Sequence, residues 1–171
     1  MTDLSISDIS GLRKAGVKGP HAAAWLAGQG IEVPPAPNSW LPLPGGALIG
    51  RLAETEFFLE GDAAAKLAPL LGETPPGVYP VPREDACFAL AGSGMHEVLL
   101  QACSVDFESS PAQNALYMTS MVGVPVLAIP QKVDGVPMIR IWADPTFGPY
   151  LWHTLSSIVQ ELAGSMRGEP Q

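Results

Sequence analysis

Cys87-Phe88-Ala89-Leu90-Ala91-Gly92-Ser93-Gly94-Met95-His96-Glu97-Val98-Leu99-Leu100-Gln101-Ala102 reads as one supersecondary unit. The apolar run predicts a strand over 87–91, and Gly92-Ser93-Gly94 supplies a tight turn. Met95, Val98, Leu99 and Ala102 then recur at the spacing of one helical face. The same order stands earlier in the chain. There 12–18 predicts a strand, Gly19-Pro20 opens a helix, and Ala22, Trp25, Leu26 and Gln29 follow at helical spacing up to Gly30. Proline fits a first helical turn because its missing N–H has no helical partner to lose. At a constant offset Val17 meets Leu90, Gly19 meets Gly92, Ala22 meets Met95, and Leu26 meets Leu99. A repeated strand–turn–helix predicts two related halves.

Working outward, 33–44 holds five prolines and predicts an extended connector. Two short strands, 47–52 and 56–60, join near Ala53-Glu54. Asp62 is placed to cap a helix running to about Leu71, with Pro69 disturbing its end. A loop over 73–83 with four prolines is the expected linker between half-repeats of about 8–72 and 84–165. Beyond the second helix, 115–122, 124–131 and 136–143 predict strands, the last two joined by an Asp134-Gly135 turn. A final helix is expected from 145–149 to about Ala163. Leu151, Leu155, Ile158 and Leu162 form its buried stripe, with Trp152 and Val159 beside it. This order predicts an α+β fold: two pseudo-symmetric ferredoxin-like halves with mainly antiparallel sheets, in a single domain over 1–171.

Composition narrows the function. Of 171 residues, 47% are hydrophobic and 15% charged, enough to build a core and sparse in the charge that keeps a surface wet. That balance favours surface covered by a partner. Nine Lys and Arg against seventeen Asp and Glu give a net charge of −8 with no basic run, which argues against nucleic acid and anionic membrane. Apolar stretches fall short of the ~20 residues of a membrane span. The start, Met-Thr-Asp-Leu-Ser, has neither a basic segment nor a signal core, so a cytoplasmic location is expected. Cys87 and Cys103 are expected to be free thiols.

Particular stretches resemble a known family. Asp8-Ile9-Ser10-Gly11-Leu12, with Gly16-Val17-Lys18-Gly19-Pro20-His21-Ala22-Ala23-Ala24-Trp25-Leu26, is similar to the start of the glycine-cleavage T-protein superfamily. Arg51-Leu52-Ala53-Glu54-Thr55-Glu56-Phe57-Phe58-Leu59 is similar to its next hairpin. Leu90-Ala91-Gly92-Ser93-Gly94, Leu99-Leu100-Gln101-Ala102-Cys103-Ser104-Val105-Asp106-Phe107, Gly123-Val124-Pro125-Val126-Leu127 and Phe147-Gly148-Pro149-Tyr150-Leu151-Trp152 resemble the gamma subunits of heterotetrameric sarcosine oxidases. The likeness runs from about residue 8 to about 163. One departure stands out: the family has a basic residue and a serine shortly before its aromatic run, whereas this chain has Asp144-Pro145-Thr146.

The resemblance implies a non-catalytic subunit of a hetero-oligomeric flavoenzyme that oxidatively demethylates an N-methyl amino acid. The one-carbon unit passes to tetrahydrofolate or leaves as formaldehyde. FAD, FMN, NAD and tetrahydrofolate are implied in larger partner subunits, and no cofactor in this one. The alternative is a free-standing T-protein-like folate-binding module, against which stands a chain about half the length that fold usually takes.

The residues assign no catalytic, cofactor-binding or metal site. Gly92-Ser93-Gly94 lacks the third glycine of a dinucleotide loop, Glu97 standing in its place, and a tight structural turn is expected instead. His21, His96 and His153 begin three separate helices without metal-ligand spacing. His96 and Cys103 fall at i, i+7, with core packing the favoured role for the thiol. Trp142 and Phe147 are expected in the core. Tyr150 and Trp152 cannot both point inward with Leu151, because successive helical residues turn by about 100°. Trp25 stands in the same relation to Leu26. Trp25, Tyr150 and Trp152 are therefore the interface candidates.

Overall fold

The computed structural model describes residues 3–107, 113–162 and 164–167. Along the chain run β1 (Ser5–Asp8), β2 (Lys14–Lys18), α1 (Ala22–Gly28), β3 (Ser39–Pro42), β4 (Leu48–Ala53) and β5 (Glu56–Glu60). Then come α2 (Asp62–Leu67), β6 (Tyr79–Val81), β7 (Ala86–Ala91), α3 (Met95–Ala102) and β8 (Tyr117–Met121). The chain continues through β9 (Val124–Val133), β10 (Val136–Ala143), α4 (Gly148–Glu161) and β11 (Ser165–Arg167). It divides into an N-terminal unit, Leu12–Glu84, and a C-terminal unit, Met1–Gly11 with Asp85–Gln171. The fold is α+β, in two ferredoxin-like halves.

In the N-terminal unit the sheet order is β3-β4-β5-β2-β6, antiparallel throughout. Val17, Ile49, Phe57 and Leu59 point to one face, where Leu26 of α1 and Leu67 of α2 close the core. Strand alternation and helical spacing deliver these residues to the same side, which is why each element is amphipathic. Three expectations are corrected. The connector over 33–44 contains β3, whose Trp40 pairs opposite Gly50, and the linker over 73–83 contains β6, paired with β2. Both are edge strands, where proline, which has no N–H to donate, can sit on the side that faces no partner strand. The helix after β5 stops at Leu67, and a 3-10 turn over Ala68–Leu70 carries Pro69. Asp62 is its first residue and makes no side-chain cap; Gly61, at φ 86°, is the N-cap.

In the C-terminal unit the order is β11-β1-β7-β10-β9-β8, with only β1 and β11 parallel. Ile6, Phe88, Leu90, Ile139 and Ile141 meet Val98, Leu99, Leu151, Leu155 and Val159 from the two helices. Asp134 and Gly135 lie at φ 52° and 81°, the mirror-image turn their sequence predicts. The buried side of α4 is Leu151, Trp152, Leu155, Ser156 and Val159. That face is rotated from the expected stripe, leaving Ile158 and Leu162 half-buried. The expected end at Ala163 lies outside the described residues.

Five strands of the C-terminal sheet match the N-terminal sheet in order, β8-β9-β10-β7-β1 against β3-β4-β5-β2-β6, and β11 has no counterpart. In each, the fifth strand is the segment that immediately precedes the first strand of the other unit. β6 leads into β7 yet pairs with β2, while β1 leads into β2 yet pairs with β7. The two halves exchange their fifth strands.

Candidate functional site

The two glycine turns occupy equivalent places and do equivalent work. Gly19 lies at φ 122°, and a Cβ there would run into the carbonyl of Gly77. The N–H of His21 donates to that same oxygen (3.0 Å), and Ala22 N–H donates back to Gly19 (3.0 Å). Gly92 lies at φ 109° against the carbonyl of Asp3, which accepts from Gly94 N–H (3.1 Å), while Met95 N–H donates to Gly92 (3.1 Å). Each turn therefore seats the incoming fifth strand and spends N–H groups on it. Only glycine supplies both the backbone angle and the clearance.

The remaining polar candidates are dispersed. His21 is the N-cap of α1, its Nδ1 3.0 Å from the Pro76 carbonyl. His96 is the second residue of α3, and His153 lies on the exposed side of α4. Among the described residues no group of three His, Cys, Asp or Glu side chains is arranged to hold a metal ion. Cys103 leaves the helix, at φ −143° and ψ 145°, so His96 and Cys103 share no helical face. Its Sγ accepts from Val105 N–H (3.5 Å) and lies 4.0 Å from Thr119 Oγ1. Cys87 is buried, and neither cysteine is in a disulfide.

The aromatic residues separate by burial. Trp142 is a core residue as expected, but Phe147 is 45% exposed. Phe147 stands at the N-cap position of α4, where its side chain makes no capping hydrogen bond. Trp152 is 9% exposed, with its ring 5.3 Å from that of Phe88, and belongs to the core. Tyr150 is 54% exposed, and its hydroxyl donates to the Val122 carbonyl at 3.1 Å. Val122 sits at φ 45°, a strained angle for a β-branched residue, and its N–H is held by Ala102 (2.8 Å). Trp25 is half-buried against the N-terminal core. With Gln29, Pro69, Leu70, Gly72 and Glu73 it lines a cavity of about 410 Å³. That cavity was not legible in the sequence, since its two sides come from α1 and the turn after α2.

Asp144 stands where the family resemblance expects a basic residue. Its carboxylate accepts from Thr146 Oγ1 (2.6 Å) and Thr146 N–H (2.8 Å). These bonds hold its pKa below the ordinary carboxylate value, and they cap the short turn that launches α4. The acid thus serves as a local cap. No helix among the described residues is long and apolar enough to cross a membrane. Leu100 and Met118 add exposed apolar surface, at 67% and 60%. Of what the described residues present, these outward apolar and aromatic groups, suited to protein contact, are the most developed feature.

No protein-family model matches the chain, and no curated protein matches it by sequence. Its fold matches a chain of the heterotetrameric sarcosine oxidase from Corynebacterium sp. U-96, solved in complex with pyrrole 2-carboxylate. The TM-score is 0.74 at 21% identity, over 94% of this chain and 85% of that one. It also matches glycine cleavage system aminomethyltransferase T from Bartonella henselae, at TM-score 0.70 and 18% identity. That match covers 98% of this chain and 48% of the enzyme, so the chain spans about half its length. The chain has a T-protein-like fold.

Proposed function

We propose that this chain is a gamma-type, non-catalytic subunit of a cytoplasmic, sarcosine-oxidase-like flavoenzyme complex. The complex oxidatively demethylates an N-methyl amino acid, and its flavins, NAD and tetrahydrofolate reside in larger partner chains. The observation that carries this reading is the likeness to a chain of a heterotetrameric sarcosine oxidase along most of both chains. Two features of the molecule support it. The glycine turns that head the helices are occupied by the backbone carbonyls of Gly77 and Asp3, which lead into the fifth strands. Outward-facing Tyr150 and Phe147, with half-exposed Trp25, supply the kind of aromatic anchors on which protein interfaces rest.

The experiment is to tag this chain in its native cell, purify it, and record the absorbance and subunit content of what is retained. Flavin-bearing larger chains should accompany it, while the chain made alone should show neither flavin absorbance nor amine-oxidase turnover. Substrate-dependent oxidation by the pure chain would overturn the assignment. So would tight binding of tetrahydrofolate by the chain alone, with micromolar affinity, which favours the folate-binding module instead.

A further inference from the structure

α1 places Trp25 and Gln29 one turn apart, on the same side of the helix. The turn after α2 brings Pro69, Leu70, Gly72 and Glu73 to the same cavity. Its volume, about 410 Å³, falls within the range of sites that take one large side chain or a small ligand. The Trp25 indole rests on the core beneath it, and Leu70, 42% exposed, adds an apolar wall. Glu73 is the one charged residue in the lining, which contains no base. Among the described residues no hydrogen bond or ion pair engages the side chains of Trp25, Gln29 or Glu73.

An aromatic side chain, an aliphatic wall and one exposed carboxylate are complementary to a planar cation on a methylene stem. A guanidinium stacks on an indole, forks onto a carboxylate and an amide oxygen, and leaves its stem along apolar surface. An ammonium satisfies the carboxylate but has no plane to lay on the ring. We propose that this cavity seats an arginine side chain of a partner protein chain; the partner, though not the chemistry of the cavity, rests on the subunit reading above.

Two measurements test this. In the first, the full chain, labelled with nitrogen-15, is titrated with N-acetyl-arginine amide and, separately, with N-acetyl-leucine amide. The Trp25 indole N–H resonance should respond to the arginine probe roughly fivefold more per mole, and the preference should vanish in Glu73→Gln. In the second, the purified complex is assembled with variants. Trp25→Phe, which keeps an aromatic plane, should hold its partners, whereas Trp25→Leu and Glu73→Arg should each weaken association about tenfold. Equal response to the two probes, or a complex indifferent to Glu73→Arg, overturns the inference. A chain that prefers the arginine probe but retains no partner keeps the cation site and overturns the subunit reading, so the two failures are distinguishable.

Discussion

Gly19 and Gly92 each carry a positive φ and a backbone carbonyl where a Cβ would stand. Replacing either by alanine combines left-handed strain with a clash against backbone that has no rotamer to yield. Gly19→Ala and Gly92→Ala should each cost about 3 kcal/mol. Gly28, the exposed last residue of α1, meets nothing within 4 Å. Gly28→Ala should be neutral or should stabilise by up to about 1 kcal/mol, because alanine loses less entropy in a helix. Denaturant unfolding of the three variants checks the contrast.

Asp144 has a folded pKa below its unfolded one, so whatever stability it lends is present at neutral pH and lost as pH falls through the folded value. Thr146→Val removes the hydroxyl donor, the largest cause of the shift. The Asp144 midpoint, followed by carbon-13 NMR, should then rise toward the ordinary value; an unmoved midpoint contradicts the capping role. The turn's glycines were legible because a positive φ has few hosts, and helical geometry required one of Tyr150 and Trp152 to face outward without saying which. Which way Trp152 and Phe147 turn was not legible. Trp152 packs on Phe88, which lies far off in sequence.

At the scale of elements, the strand–turn–helix repeat and the Asp134-Gly135 hairpin were readable because their signals are local. β1, β3 and β6 were not. Their residues become strands through pairing with β7, β4 and β2, and the prolines that advertise a loop are tolerated where one ladder side is open. β1 makes the sharpest prediction, because it is held by pairing with β7, some 80 residues away in sequence. Ile6 and Leu4 are 0% and 3% exposed within the C-terminal core, and Ile6 pairs opposite Leu90. Ile6→Ala should cost about 3 kcal/mol, the range of a buried large-to-small change, where a dispensable tail would cost almost nothing. Native-state hydrogen exchange at Ile6 and Leu90 reports whether the strand opens separately.

For the whole molecule, sparse charge and outward aromatics are the features on which the proposed subunit role rests. Tyr150 complicates the test, because its hydroxyl also holds the strained Val122 turn. Tyr150→Phe should cost the free chain about 1 kcal/mol through that lost bond. Any larger loss of association in Tyr150→Ala then belongs to the interface, where an anchoring aromatic contributes about 2–4 kcal/mol. A permanent interface of this type typically buries about 2,000 Å² or more in total, which changes hydrodynamic size unmistakably. The most direct measurement is native mass spectrometry of the tagged chain purified from its own cell. A discrete hetero-oligomer containing larger, flavin-carrying chains is the predicted result; a stable free monomer with no retained chain contradicts the account.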